Sequence, residues 1–359
     1  MKIGIIGAGG IGLASAAWLA QRGHDVRLWA PRAGKPAAPG EQTLASSGIL
    51  EASVRVRWVG SAAELAAASD VVLIAVPVNG HRAVMDALAP RLRAGQTVIV
   101  SSMASLSSLY LYEQARRLGV ADLTVASIGT TVLTARREAP DRVRIMTRRA
   151  QLGVSALPTA RQDAVLTLCT ALFGDGFAPQ ANALASALTN INPAAHGPLA
   201  LFNWTRIERA EHWPQYHYMT ARVAAVIERL DAERLALAAA FGVQVRTIEQ
   251  HFAQSFGTGA TRLADIAAEL HAKRGGPPGP TDTGTRFLAE DMPYGLVFCS
   301  ALGRIAQVAT PAGDAIVASA SLIAGCDFAA QNDLIGPLGL QDETVAGLTA
   351  RVAGYGTSA

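Results

Sequence analysis

The sequence predicts an α/β domain on a mostly parallel sheet at residues 1–180, followed by an all-helical domain at 181–359. Three observations predict it. The chain opens on a short apolar run, Ile3, Ile5 and Ile6, stopped by Gly7-Ala8-Gly9-Gly10-Ile11-Gly12 and followed by the helical stretch LASAAWLAQRG. Apolar runs of strand length then alternate with helical stretches as far as about residue 180. Beyond that point strand-like alternation nearly vanishes, and Ala, Leu and Arg recur at helical spacing, most clearly from Ala221 to Phe241, with Gly242 as a C-cap.

The opening strand, glycine turn and helix form a dinucleotide-binding signature. Gly7 makes the tight turn, Gly9 lets backbone approach a pyrophosphate, and Gly12 lets the helix pack on the strand; with Gly10 they form the expected cofactor-binding turn. The phosphates belong at the helix N-terminus, where unpaired N–H groups and the helix dipole favour an anion. A secretory signal peptide can share this composition, but it has no use for glycines in this register and the strand HDVRLWA follows at βαβ spacing, so the opening stretch reads as the fold's first βα unit.

That second strand, Val26 to Trp29, ends where such folds place an acidic residue on the adenosine ribose. Here Ala30, Pro31 and Arg32 stand instead. Nothing acidic repels a 2′-phosphate, and Arg32 either pairs with it or points into water; the first alternative makes NADPH preferred over NADH. Ala33 to Gly40 reads as loop, Val54 to Val59 as strand and Ala63 to Ala68 as a short helix. Asp70-VVLIAVP is a continuous apolar run, as in strands buried on both faces, and Pro77 at its carboxyl end is a cofactor-binding candidate. His81 beyond it either faces a nicotinamide or packs the helix HRAVMDALAPRL. Gln96 to Ser101 is a strand entering a polar loop, SSMASLSS; Leu123 to Ser127 and Val143 to Thr147 are strands, and Arg161 to Phe173 is an amphipathic helix.

Composition bounds the function. Charged residues make up 16% and apolar ones 50%, with a net charge of +3, which offers no footprint for nucleic acid. The arginines between Arg136 and Arg149 read as the wet face of a strand. Cys169, Cys299 and Cys326 have neither metal nor redox spacing, so no metal is expected, and they suit a reducing, cytoplasmic compartment. No apolar run reaches the roughly 18 residues of a membrane span, so no membrane is expected. The segment Lys273 to Gly284, rich in glycine and proline, is either a mobile cover or a plain connection.

Two clusters of polar residues interrupt the apolar helices of the second half. TNINPAAHGPLALFNWTRIE holds Asn190, Asn192, Pro193, His196, Asn203 and Glu208, and TRFLAEDMPYGLVF holds Arg286, Glu290, Asp291, Pro293 and Gly295. Together with the glycine turn, the IAVP strand end and Thr130 six residues before Arg136, these clusters make the chain resemble the opine dehydrogenases of the octopine and nopaline type. The likeness runs over nearly the whole chain.

The resemblance implies small-molecule substrates, an amino acid and a 2-oxo acid, condensing to an imine that NAD(P)H reduces to an N-(1-carboxyalkyl) amino acid. It makes His196 the proton-transferring group and Asp291 its partner. Such chemistry needs protons moved near neutral pH, where imidazole titrates. Arg286 matches an arginine that couples cofactor binding to domain closure; it either does so or clamps a substrate carboxylate, and an ion pair with Glu290 is the plain alternative. Thr130, Asn192 and Asn203 match substrate-binding positions, and the Thr130 hydroxyl either binds the oxo-acid carboxylate or caps the next element. Trp204, Trp213 and Tyr216 to Tyr218 either line the amino-acid pocket or belong to the core. Ser102-Met103-Ala104-Ser105 and Val132-Leu133 depart from the family pattern, which leaves the substrate open.

Two other readings stand beside this one. A 2-oxo acid or 2-hydroxy acid reductase of the 2-dehydropantoate or glycerol-3-phosphate dehydrogenase kind would want a lysine at the start of the helical domain, and none occurs between Gln180 and Glu211. A non-catalytic dinucleotide sensor would leave His196 idle. The apolar stretch Ala312 to Ala324 is either core or the interface of a homodimer.

Overall fold

The computed structural model describes residues 1–31 and 39–354. Arg32, and with it most of the Ala33 to Gly40 loop, lies outside the described residues. The chain divides into two compact units, Met1–Ala187 with Thr349–Ala359, and Leu188–Leu348. The sequence boundary was drawn at 180/181; the structural one falls at 187/188, and the chain from Thr349 counts with the first unit. There Arg351 forms a two-armed ion pair with Glu113, at 2.7 and 2.8 Å, and Thr159 donates its N–H to Ala353 O at 3.0 Å.

The first unit is built on an eleven-stranded sheet of order β11-β10-β7-β6-β5-β1-β2-β4-β3-β9-β8. Its strands are β1 (Lys2–Ile6), β2 (Asp25–Trp29), β3 (Gly40–Gly48), β4 (Ala52–Trp58), β5 (Val71–Ile74), β6 (Thr97–Ser101), β7 (Thr124–Ile128), β8 (Leu133–Ala139), β9 (Arg142–Arg148), β10 (Leu152–Leu157) and β11 (Phe177–Pro179). The central run from β7 through β2 to β4 is parallel, and antiparallel pairs occur at β7/β10, β3/β4 and β8/β9. Val71 to Ile74 are all buried, as a strand covered on both faces requires. The helices are α1 (Gly10–Gln21), α2 (Ala62–Ala67), α3 (His81–Leu88), α4 (Ser107–Arg117) and α5 (Gln162–Phe173), and α6 (Ala183–Leu188) crosses the boundary.

Four strands are not foreseen from the sequence: β3, β8, β10 and β11. The SSMASLSS segment also differs from the expected loop, because α4 begins within it at Ser107. Ser102, Ser105 and Leu106 before it have positive φ, 58°, 47° and 55°, so the chain turns sharply into a helix with no polar cap at its start.

The second unit is helical: α7 (Asn192–Phe202), α8 (Trp204–Glu208), α9 (Gln215–Tyr218), α10 (Ala221–Ala240), α11 (Ile248–Phe256), α12 (Leu263–Arg274), α13 (Arg286–Ala289), α14 (Val297–Ala306) and α15 (Pro311–Ala324), with α16 (Val345–Val352) leading back to the first unit. Its core gathers Leu199, Ile207, Ile227, Leu263 and Met292. A buried pair holds α10: Asp231 Oδ1 accepts from Arg234 Nη2 at 2.7 Å, while Asp231 Oδ2 accepts the Ile248 N–H at the start of α11. Glu233 caps α15, taking the Ala312 and Gly313 N–H groups at 2.8 and 3.0 Å, where the helix dipole favours a carboxylate.

Candidate active site

The glycine turn sits at the carboxyl edge of the sheet. Gly7 has φ +119°, and a Cβ there would strike the Ala75 carbonyl, while a Cβ on Gly12 would run into the Gly7 carbonyl. Gly9, extended at φ −76° and ψ −177°, differs: a Cβ there would meet nothing within 4 Å. The space above the turn is therefore open, directly before the N-terminus of α1, as a pyrophosphate requires. Gly10 has another neighbour, since a Cβ on it would come within 2.8 Å of the Ala135 carbonyl in β8.

Around the turn lies a cavity of about 540 Å³, lined by Gly7, Ala8 and Gly9 and by Ala30, Pro77 and Arg137, among others. The end of β2 carries no acid, and Val84 and Ala87 of α3 supply apolar wall that suits an adenine ring. The residues present fit a dinucleotide.

His81 is not part of this cavity lining. It is fully buried, its Nε2 on the Val76 carbonyl at 3.1 Å and its Nδ1 on Ser107 Oγ at 2.9 Å. Burial pushes its pKa down to about 4, so the ring is neutral and joins α3 to α4.

In the second unit, His196 and Asp291, 95 residues apart, meet: His196 Nδ1 lies 2.8 Å from Asp291 Oδ2, with side chains 13% and 10% exposed. The carboxylate accepts from Nδ1, which leaves Nε2 as the nitrogen free to give or take a proton. The ring also stacks on Phe287, with centroids 3.6 Å apart and planes 5° from parallel. One contact fixes the rotation of the imidazole and the other its plane.

Local backbone explains the meeting. Asp291 precedes a single π-helical turn, Met292–Leu296, which runs into α14. Such a turn inserts an extra residue per repeat and re-aims the side chains before it. Gly295 in this turn lies against the Pro193 ring of α7, so close that a Cβ would fall inside 3.0 Å of it. Gly197, one residue past His196, admits Leu296 Cδ1, which a Cβ would meet at 3.0 Å. Asn332 Nδ2 donates to Pro293 O at 2.7 Å, and Tyr294 Oη to Asp333 Oδ1 at 2.9 Å, pinning the turn.

The other predicted residues are placed as follows. Asn192 is the first residue of α7, and its N–H donates to Asn190 Oδ1 at 3.1 Å. Asn203 is buried at the end of α7 with Nδ2 on the Leu199 carbonyl at 3.0 Å, a structural bond. Arg286 opens α13 and is exposed. Thr130 lies between β7 and β8 in the first unit, its carbonyl accepting from Ser102 N. Trp204 and Trp213 are core, 8% and 2% exposed, and Tyr216 and Tyr218 pack against that core. The Lys273 to Gly284 segment is partly helical, since α12 continues to Arg274, and it is tied down where Gly279 N donates to Trp213 O at 2.7 Å and Trp213 Nε1 to Pro280 O at 3.0 Å.

Sequence reasoning missed Phe287 and Arg137. Phe287 stood inside the quoted TRFLAEDMPYGLVF run, and Arg137 was read with its neighbours as a wet face. Among the described residues, no group of three or more His, Cys, Asp or Glu side chains is placed to hold a metal, and no helix is long and apolar enough to cross a membrane. The buried Cys169 thiol is pushed up to about 12 and stays protonated at neutral pH.

A dinucleotide cradle followed in the chain by a helical unit with a part-buried His–Asp pair defines an NAD(P)-dependent oxidoreductase. The family model described as "NAD/NADP octopine/nopaline dehydrogenase, alpha-helical domain" matches residues 179–324, and one described as "NADP oxidoreductase coenzyme F420-dependent" matches residues 2–105. An opine dehydrogenase from Arthrobacter sp. (strain 1C) is 29% identical over 360 residues, covering 97% of this chain and 98% of that protein. An octopine dehydrogenase solved with NADH and L-arginine has the same fold, at TM-score 0.78 and 19% identity over 100% of this chain and 99% of the other. So has a yersinopine dehydrogenase with NADP+ bound, at TM-score 0.70 and 16% identity over 98% of each. The chain is thus similar to the octopine/nopaline dehydrogenases over the helical residues 179–324 and to an opine dehydrogenase over nearly its whole length.

Proposed function

We propose that this protein is an NAD(P)H-dependent opine dehydrogenase, joining an amino acid and a 2-oxo acid into an N-(1-carboxyalkyl) amino acid. The amine and the oxo group lose water to form an imine, and the imine takes up a hydride and a proton to become a secondary amine. A reduced nicotinamide cofactor supplies the hydride. The observation that carries the reading is the His196–Asp291 hydrogen bond of 2.8 Å in a chain similar to the octopine/nopaline dehydrogenases.

In this reading Asp291 holds the proton on His196 Nδ1, and Nε2 delivers or receives the proton that imine formation and reduction require. Thr130, Asn192 and Arg286 serve the substrate carboxylates, with Arg286 also sensing the cofactor. Asn203 acts indirectly, by holding the end of α7. Gly7, Gly9, Gly12 and Pro77 cradle the dinucleotide, and Gly10 admits β8 beside it. NADPH is the preferred cofactor because Ala30 leaves the end of β2 without a carboxylate. Three free cysteines support a reducing, cytoplasmic setting, and Leu322 and Ile323 on α15, 86% and 47% exposed, support a homodimer.

The test follows NADPH absorbance while amino acids are offered in turn with pyruvate, 2-oxoglutarate and glyoxylate, and each oxo acid alone. Oxidation that requires both partners and falls by at least about a hundredfold in His196→Ala is expected, general acid–base groups contributing about 10²–10⁴-fold. Oxidation by an oxo acid alone would move the protein to the hydroxy-acid dehydrogenases, and cofactor binding without turnover to the sensors.

A further inference from the structure

We infer that Arg137 is a cofactor-binding residue whose guanidinium takes the dinucleotide pyrophosphate; this rests on the dinucleotide reading of the first unit. Four observations meet on it. First, Arg137 is the one charged side chain among the described residues lining the cavity around the glycine turn. Second, its guanidinium is already aimed: Nη1 donates to the Ala8 carbonyl inside the turn at 3.2 Å, and Nε to Ala139 O at 3.1 Å. Those two bonds use two of five N–H groups, leaving three for an anion.

Third, the strand is distorted around this residue. β8 pairs with β9 through two register shifts, one between Thr134 and Ala135 and one between Arg137 and Ala139. Bulges of this kind bend a strand and re-aim a side chain, and they concentrate beside functional sites. Arg137 pairs with Val143, which is fully buried, whereas Arg136 pairs with Arg144 on the wet face. Arg136, Arg137 and Glu138 are all exposed, so the ordinary alternation of the strand breaks at this residue, and it is the bond to Ala8 O that holds the Arg137 guanidinium against the glycine turn.

Fourth, Gly10 makes the approach of β8 possible. A Cβ at that position would lie 2.8 Å from Ala135 O and 3.3 Å from Arg137 N. The glycine that phosphate binding alone does not explain is the one that lets the arginine's strand cross the N-terminus of α1. Helix dipole and guanidinium then face the same small volume above Gly9, where two negative phosphates belong.

The test is direct binding to the purified full chain, read by quenching of intrinsic tryptophan fluorescence. NADH, NADPH, ADP-ribose and 5′-AMP are titrated into the wild type, Arg137→Gln and Arg137→Lys, with Tm recorded for each. Arg137→Gln is expected to raise Kd about tenfold or more, and by the same factor, for NADH, NADPH and ADP-ribose, with 5′-AMP affected much less. Arg137→Lys restores part of the loss. A loss confined to NADPH would overturn the proposal in favour of a 2′-phosphate contact, and an equal loss for 5′-AMP would overturn it in favour of a structural role. Wild-type protein that binds none of the dinucleotides would overturn the dinucleotide reading itself, an outcome distinct from unchanged binding in the variants.

Discussion

Replacing Gly295 by Ala adds a single methyl group where the π turn meets α7. The new Cβ would stand against Cβ and Cγ of Pro193, closer than the 3.0 Å below which real Cβ contacts essentially never fall. A proline ring is no flexible tip, so backbone must shift. Overpacking of this kind costs about 1–3 kcal/mol, which in a unit of this size lowers Tm by about 2–12 °C. The shift also acts on chemistry. Pro193 is three residues before His196 on α7, and Gly295 four after Asp291, so spreading this contact lengthens the 2.8 Å bond between them. A hydrogen bond to a charged group is worth about 1.5–3 kcal/mol, so its loss predicts a fall in kcat of about 10- to 150-fold. Circular dichroism melting and initial rates with the best amine and oxo acid measure the two effects. Pro193→Ala in the same chain should return part of both, because the pair is in contact and will not behave additively. Gly295→Ala protein that melts within a degree of wild type and turns over at the wild-type rate would refute the account of how the pair is positioned.

Two further outcomes follow from the first unit. Burial holds the His81 pKa near about 4, below its ordinary 6.5, so between those values the unfolded chain binds a proton that the folded chain refuses. Its contribution is complete above about pH 6.5 and is lost as pH falls toward 4, amounting to about 2 kcal/mol between pH 7 and pH 5; urea unfolding should show this difference and His81→Gln should flatten it, whereas an unchanged slope in the variant would place the titrating group elsewhere. Gly9→Val should leave Tm within about 1 °C, since the backbone there is extended and the space open, yet weaken NAD(P)H binding by more than about tenfold; a variant that binds normally would show that nothing occupies the space above the turn.

The sequence carried most of the dinucleotide fold because its signals are local. Strand, spaced glycines and helix are written within 21 residues, and Val71 to Ile74 announce a strand covered on both faces. The missed strands lack such signals. β3 reads GEQTLASSG, small and polar residues of low strand preference, and it forms because β4 and β9 flank it. β8 reads LTARREA, with three consecutive exposed residues that break the alternation where it bulges. In the second unit, the motifs marked His196 and Asp291, but no spacing in sequence spans 95 residues to join them. The π turn that aims Asp291 depends on Pro193, Asn332 and Asp333 closing around it, partners that only the folded chain supplies. Phe287 escaped for the same reason, since a stacked ring reads as an ordinary core residue until its neighbour is known.

The two rims of the wide sheet have a consequence for solubility. An open sheet offers unpaired N–H and C=O groups along its outermost strands, a template for strands from other molecules. Here one rim is β11, three residues long and closed by Pro179, which has no N–H to offer. The other is β8, which carries Arg136, Arg137 and Glu138 in a row and bends at two irregularities. A visiting strand would meet charge and a broken ladder on one side and too few residues on the other. The arginines that the sequence assigns to a wet face thus also guard an exposed edge, and neutralising Arg136 and Glu138 trades that protection for a stickier protein.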